Sequence, residues 1–216
     1  LDAELVDGLQ NLARTGHATL FMVLHAALAT LLQRHGAGHD IPIGTVVSGR
    51  GEPQLDDLVG MFVGTHVLRT DVNPDATFTE FLEQVRGRDV AAYMHPDAPF
   101  ETLVEHLNPV RSAARHPLFQ VSLSLNRPVV DTAALPGMDV SVRPVDTRYT
   151  QLDLQVTATP TGTGLDLEFF YSTDLYDEAT IAAAAGRYSA ILRAAVTDPQ
   201  IRLGDIDLID RQNPVV

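Results

Sequence analysis

The segment that most constrains the fold is Leu20–Arg34, LFMVLHAALATLLQR, which is apolar almost all round. The sequence predicts a helix there, because Thr19 can cap its start and Gly36 can close its end. A helix without a polar face has to be buried on more than one side. The rest of the chain must therefore supply layers that pack around this segment.

Helix and strand patterns alternate along the remainder of the chain. Leucines at helical spacing predict a helix over Leu1–Arg14, and the capping box Thr77-x-x-Glu80 starts another over Phe78–Tyr93. Further helices are predicted over Pro99–Leu107 and Glu178–Val196. Strands are predicted over Asp40–Val47, Leu58–Thr70, Leu118–Leu125, Met138–Val145, Leu152–Ala158, Leu165–Tyr171 and Leu203–Ile209. Early alternation followed by a late hairpin predicts one α/β domain with a mixed sheet flanked by helices.

Composition excludes several classes of function. The 216 residues carry a formal net charge of -13 and no cysteine. A strongly acidic chain lacks the basic footprint of a nucleic-acid binder, and it does not favour an anionic membrane surface. The missing cysteines exclude disulfides, thiolate metal sites and cysteine nucleophiles. No apolar run reaches the roughly 18 residues of a membrane-spanning helix, and no secretion signal is visible, so we expect a cytoplasmic protein.

No segment carries a complete catalytic or metal-binding pattern. Asp71-x-Asn73-x-Asp75 imitates the start of a calcium loop, but Ala76 and Leu82 stand where that loop needs glycine and glutamate. The eight histidines are scattered and none has zinc-protease spacing, so we expect no metal site. The residues alone predict an α/β domain without a nucleophile, base and orienting group.

Two histidines and one charged stretch leave alternatives open. His25 lies in the apolar helix and is interpreted as a core histidine, whereas His66 could face either the core or a channel. The stretch His95–Gln120 contains two charged turns beside regular elements. These turns could form a site or an interface. On residue chemistry alone, helix capping and loop anchoring by their charged side chains are favoured.

Three segments, in order, resemble motifs of nonribosomal peptide synthetase condensation domains. Val59–Arg69, VGMFVGTHVLR, resembles (I/V)GxFVNTxxxR. His95–Glu101, HPDAPFE, resembles HQDxPFE, and Arg111–Leu118, RSAARHPL, resembles RDxSRNPL. The flanking DIPIGTVVSGR and YSTDLYDEATI are also similar to the family. The likeness therefore covers nearly the whole chain.

This resemblance implies a chloramphenicol-acetyltransferase-like fold with two similar halves around a tunnel. In the family, two thioesters enter on the phosphopantetheine arms of donor and acceptor carrier proteins, and an amide forms. The family motif HHxxxDG belongs to the N-terminal half, and this chain has no adjacent histidine pair. Residues 1–216 thus resemble the C-terminal half. The implied partners are the N-terminal half, both carrier proteins and adjacent synthetase domains. No catalytic residue and no directly bound cofactor are expected in this chain.

The resemblance also suggests where a substrate would pass. Ser48–Asp57 and Leu58–Arg69 correspond to the tunnel floor, and Arg127–Gly137 could latch onto the other half. The candidate channel residues are Gly60, Phe62, Gly64, Thr65 and His66. The candidate structural residues are Arg69, His95, Asp97, Pro99, Phe100, Glu101, Arg111, Arg115 and Pro117.

The departures from the family motifs keep two questions open. Gly64, Pro96, Ala114 and His116 replace the usual Asn, Gln, Ser and Asn. Strand alternation predicts that Gly64 faces the tunnel together with Phe62 and His66, although glycine could merely relieve crowding against a neighbouring strand. Degenerate motifs also fit a second function, a non-catalytic condensation-like domain that recruits a tailoring enzyme such as an oxygenase.

Overall fold

The computed structural model describes residues 1–50, 53–95, 98, 100–110, 112, 115–126 and 149–208, with Pro53 described for its backbone only. The helices are α1 (Ala3–Thr15), α2 (Leu20–Arg34), α3 (Phe78–Tyr93), α4 (Phe100–Leu107) and α5 (Glu178–Thr197). The strands are β1 (Asp40–Ser48), β2 (Val63–Asp71), β3 (Val121–Leu125), β4 (Leu154–Pro160) and β5 (Leu165–Tyr171). Short 3-10 turns occupy Pro53–Leu55 and Leu203–Asp205.

The five strands form one mixed sheet in the order β2-β1-β3-β4-β5. Strand β3 pairs in parallel with both β1 and β4, while the outer pairs β1–β2 and β4–β5 are antiparallel. A parallel pair needs a long crossover, and here α3 and α4 lie between β1 and β3 in the chain. The predicted mixed sheet flanked by helices is confirmed.

One face of the sheet carries the apolar core. Ile43 of β1 pairs with Val121 of β3, and Leu123, on the same face of β3, pairs with Val156 of β4. Ile43, Leu123 and Val156 belong to the same buried cluster as residues of α1, α2, α3 and α5. Helix α2 lies at the centre, with ten buried residues. Tyr188 of α5 donates its hydroxyl hydrogen to the carbonyl of Leu24 at 2.9 Å. Burial on several sides explains why α2 has no polar face.

A polar pair lies inside this core. His25 Nδ1 of α2 and Asp89 Oδ2 of α3 are 3.1 Å apart, and both side chains are completely buried. The predicted core histidine is therefore half satisfied, because its Nε2 has no hydrogen-bond partner in the described structure. The pair joins α2 to α3 through the core.

The predicted strand over Leu203–Ile209 is wrong over the described residues 203–208, and Ile209 lies outside them. Its first part is the 3-10 turn, whose backbone is held by the neighbouring loop: the amides of Leu203 and Gly204 donate to the carbonyls of Ala76 and Pro74. Arg34, at the end of α2, donates to the carbonyls of Leu203, Gly204 and Ile206 at 2.8–3.1 Å. These bonds take the backbone groups that a sheet ladder would need.

Two strands begin later than predicted, and two predicted segments lie outside the described residues. Strand β2 starts at Val63 and not at Leu58, and β3 starts at Val121 and not at Leu118. The predicted latch Arg127–Gly137 and the predicted strand Met138–Val145 lie outside the described residues.

None of the described helices is by itself long and apolar enough to span a membrane. Helices α1 and α2 meet the length and composition test only as a pair bent by 101°. The apolar faces of both helices pack within the core.

Candidate functional site

A cleft opens where the parallel strands β1 and β3 end. Carboxyl ends of parallel strands meet at the same edge of a sheet, and the connection from β1 to β2 lies beside that edge. The cleft has a volume of about 430 Å³. Its lining includes Ser48 at the end of β1 and Arg50 just after it. Gly60 and Phe62 before β2, Val63 at the start of β2, and Ser124 and Asn126 at the end of β3 complete the part used here.

Several contacts hold Phe62 in place in this lining. The amide of Gly49 donates to the Phe62 carbonyl, and a Cβ atom at Gly49 would lie 2.7 Å from that oxygen. The guanidinium carbon of Arg50 lies 4.2 Å from the centre of the Phe62 ring. A Cβ at Gly60 would come within 3.0 Å of the ring edge, so glycine lets the ring lie against the chain. The structure thus places two of the predicted channel residues, Gly60 and Phe62, in the cleft wall.

The other predicted channel residues lie further along β2. In the antiparallel register Gly64 pairs with Val47 and His66 with Thr45, on the same face as the core residue Ile43. A Cβ at Gly64 would meet Val47 Cγ2 at 3.4 Å, an ordinary contact, so crowding does not require glycine there.

His66 and Thr65 take opposite faces of this edge strand. The His66 ring stacks on Tyr93, at the end of α3, with ring centres 5.8 Å apart. Thr65 has the alternate orientation along the strand. Burial first, and then the charge of Asp89, raise the pKa of Tyr93 to about 12, so its phenol stays protonated at neutral pH.

Residues of the second and third motifs, His95–Glu101 and Arg111–Leu118, meet on the face of the sheet opposite to the core residue Ile43. The Phe100 ring at the start of α4 lies 5.1 Å from the His116 ring, and His116 lies 4.0 Å from Phe119. Phe119 packs directly over Gly44 of β1, where a Cβ atom would be 2.1 Å from the ring. This aromatic trio of Phe100, His116 and Phe119 attaches α4 to the sheet. Burial lowers the pKa of His116, so its imidazole is neutral at physiological pH.

A second concavity of about 450 Å³ lies between α4 and the segment before β3. Phe100, Val104 and Pro117 form its apolar part, and the carboxylates of Glu101 and Glu105 lie on the same lining. Its remaining members include Ser112 and Arg115, which form an isolated antiparallel bridge. Phe100, Glu101, Arg115 and Pro117, all predicted as structural, therefore come together here.

The remaining predicted residues are dispersed. Arg69 forms an exposed bidentate pair with Asp40, with 2.7 Å between Nε and Oδ1, and this hydrogen bond lowers the pKa of the Asp40 carboxyl. His95 is exposed after α3, and its amide donates to the carbonyl of Ala92. Asp97, Pro99 and Arg111 lie outside the described residues.

Sequence reasoning did not single out Gly44 and Phe119, which pack together beside the second concavity, or Ser124 and Asn126 of the cleft, and it included Arg50 in the predicted tunnel floor without giving it a role. Phe119 and Gly44 are far apart in the chain, so only the folded sheet reveals their contact. Arg50 carried a signal, because a lone cation follows a strand and begins a connection punctuated by glycine and proline. Within the described ranges, no group of three or more His, Asp or Glu side chains is arranged to hold a metal ion.

Comparison with known proteins now identifies the family. The Condensation domain profile matches residues 1–214. The non-canonical nonribosomal peptide synthetase CymA of Salinispora arenicola is 46% identical over 211 residues, which cover 97% of this chain and 3% of that protein.

Two solved structures are also similar. The crystal structure of the X-domain from teicoplanin biosynthesis is 33% identical with a TM-score of 0.88, covering 97% of this chain and 48% of that one. The complex of the X-domain and OxyB from teicoplanin biosynthesis gives 32% identity and a TM-score of 0.84, over 97% and 47% of the two chains. This chain thus spans a small part of its synthetase relative and about half of each matched structure. It belongs to the condensation-domain family.

Proposed function

We propose that this chain is the C-terminal half of a condensation domain that joins two carrier-bound thioesters through an amide bond. The acceptor amine nitrogen attacks the donor thioester carbonyl, and the carbon–sulfur bond breaks. The amine proton leaves to a base, and the donor carrier keeps a free phosphopantetheine thiol. The chemistry itself depends on the HHxxxDG motif of the N-terminal half. The C-terminal half, which is this chain, contributes one wall of the passage.

The observation that carries this proposal is the cleft at the ends of β1 and β3. Its wall contains Gly60 and Phe62 of the first family motif, and its rim holds the hydroxyl and amide side chains of Ser48, Ser124 and Asn126. Such groups can form hydrogen bonds with the amides of a phosphopantetheine arm, whichever acyl group the arm carries. Holding two reactants together can supply roughly 7–11 kcal/mol of the barrier reduction, so a wall that orients them contributes to rate.

Exposed apolar side chains at the rim of the cleft support the proposal that a partner half packs there. Val59 and Met61 are 105% and 91% exposed, and Val46 and Val63 are each 58% exposed. A cluster of exposed large apolar side chains next to a cleft marks an interaction surface. The N-terminal half of the same domain is the occupant we propose. Donor and acceptor carrier proteins and adjacent synthetase domains are the further partners.

The isolated chain is expected to form no amide bond. It contains no adjacent histidine pair, and its described sites hold no nucleophile and base in contact. The test incubates the 216-residue chain, and separately the complete two-half domain, with loaded donor and acceptor carrier proteins. Mass spectrometry should detect the amide product only with the complete domain. Turnover by the 216-residue chain alone would refute the assignment.

A second function is favoured by one observation, the 33% identity to the X-domain. The X-domain is known in a complex with OxyB. A non-catalytic domain of this kind would recruit a tailoring enzyme, such as an oxygenase. A complete domain that yields no amide but binds such an enzyme in a pull-down would support this alternative, and an intact HHxxxDG upstream would oppose it.

Replacing Gly64 with phenylalanine in the complete domain is expected to reduce condensation roughly tenfold or more while the fold is retained. Gly64 is half-buried on the edge strand β2, and the first added carbon meets only Val47 at 3.4 Å. The backbone therefore accepts a side chain, whereas a bulky ring beside a substrate passage obstructs it, and small misplacements can cost up to about a hundredfold.

Gly64→Ala is the matched control, because it adds only the tolerated carbon. Product formation and the melting temperature are measured for both variants. Equal activity of the wild type and Gly64→Phe, or outright unfolding of Gly64→Phe, would count against a passage at Gly64.

A further inference from the structure

We infer that Arg50 is a positioning residue for amide formation: it fixes the connection 53–62 and, through it, the Phe62 wall of the cleft. This inference rests on the proposed function of the domain. The connection links β1 to β2 and contributes Gly60 and Phe62 to the cleft. Arg50 itself is not required to touch a reacting atom.

Three contacts of one side chain converge on this connection. The Arg50 guanidinium lies over the Phe62 ring, 4.2 Å from its centre. Its Nη1 donates to the carbonyl of Leu55, and its Nη2 donates to the carbonyl of Leu58 at 2.8 Å. One cation thus holds the beginning, the middle and the end of the connection.

The connection has little else to hold it. None of residues 54–62 has a buried side chain. Val59 and Met61 are almost fully exposed, so this segment gains no apolar core of its own. Apart from bonds inside the 3-10 turn Pro53–Leu55, the described backbone bonds of this connection are those from Leu58 to Leu55 and from Gly49 to Phe62. Removing the Arg50 side chain therefore removes three of the few contacts that hold the connection 53–62 in one conformation.

The chemistry requires arginine specifically. A guanidinium is flat, with a face that stacks on an aromatic ring and edge N–H groups that reach two separate carbonyls. Lysine could approach Phe62 or one carbonyl as a compact cation, but it has no rigid fork to span Leu55 and Leu58. A lysine variant should therefore restore only part of the effect.

The test uses the complete condensation domain with Arg50→Ala and Arg50→Lys. The rate of amide formation and its dependence on acceptor carrier concentration are measured, together with hydrogen–deuterium exchange. We expect kcat to fall roughly ten- to hundredfold for Arg50→Ala and less for Arg50→Lys. Exchange should accelerate in residues 54–62 while α2 keeps the protection of the wild type. Arg14→Ala, an exposed arginine on α1 that bonds only Asn11 in the described structure, is the matched control.

Each outcome decides the inference. Unchanged kcat or unchanged exchange at 54–62 in Arg50→Ala overturns it, and so does full rescue by lysine in both measurements. Faster exchange in α2 as well would assign Arg50 to general stability and also overturn it. If the wild-type domain forms no amide, the proposed function fails. In that case Arg50 positions no reaction, and the inference fails together with the proposed function. The exchange data then show only whether Arg50 holds the connection 53–62.

Discussion

Asp89→Ala is expected to lower the free energy of unfolding by about 3–5 kcal/mol, because it removes one member of a buried polar pair. Asp89 of α3 contacts His25 of α2 at 3.1 Å, and neither side chain reaches solvent. After the substitution both imidazole nitrogens would lack a partner, since Nε2 already has none in the described structure. Domains have a total stability of about 5–15 kcal/mol, so this loss is a large part of it.

The measurement is denaturant unfolding of the 216-residue chain followed by far-ultraviolet circular dichroism, since the chain has no tryptophan. Asp89→Asn keeps an oxygen that can accept from His25, so its loss should be smaller. Replacing both His25 and Asp89 by leucine should cost less than Asp89→Ala, because no polar group is then left unpaired. Glu83→Ala, at an exposed position on the same helix, is the control. Equal losses for Asp89→Ala and Glu83→Ala would contradict the argument.

Local signals account for the parts of the fold that the sequence predicted. The bounds of Leu20–Arg34 and Phe78–Tyr93 agree with the structure, and the hydroxyls of Thr19 and Thr77 accept the capping hydrogen bonds as expected. Both helices begin at a cap and follow a pattern contained within a few turns of chain. The β5 strand Leu165–Tyr171 was also predicted with its observed bounds.

The failures have non-local causes. The segment after Leu203 resembles a strand, but its carbonyls are bonded by Arg34, which lies 169 positions away from Leu203. Residues 58–62 are apolar like a strand, yet they belong to the connection and remain exposed apart from half-buried Phe62. Hydrophobicity alone cannot distinguish a residue that packs in its own core from one that faces a partner.

The candidate site shows the same division. The resemblance proposed Gly60 and Phe62 as channel residues, and both lie in the cleft wall, whereas Phe100 and Arg115, proposed as structural, line the second concavity. That a substrate passes along the cleft stays a prediction. The resemblance did not reveal that the second and third motifs touch through Phe100 and His116. That contact depends on where α4 lies relative to the described residues just before β3, and the sequence predicted the two elements without their relative placement.

Gly44→Ala is expected to destabilise the chain by about 1–3 kcal/mol, because it overpacks the aromatic trio. The new Cβ would lie 2.1–2.5 Å from three atoms of the Phe119 ring. The ring has little room to move, since Phe119 is only 4% exposed and lies against the rings of His116 and Phe100. Displacing it should also shift α4, whose Phe100 belongs to the trio.

A double-mutant cycle checks the cause of this loss. Phe119→Leu alone should destabilise the chain by leaving space in the trio, whereas Gly44→Ala combined with Phe119→Leu should cost less than the sum of the two, with a coupling of about 0.5–3 kcal/mol. Gly87→Ala is the matched glycine control: nothing lies within 4 Å of its Cβ position in α3, so it should gain about 0.5–1 kcal/mol. Denaturant midpoints of the four variants give the cycle and its control. Additive losses would mean that Phe119 does not restrict Gly44, and a stabilised Gly44→Ala would show that the ring moves freely.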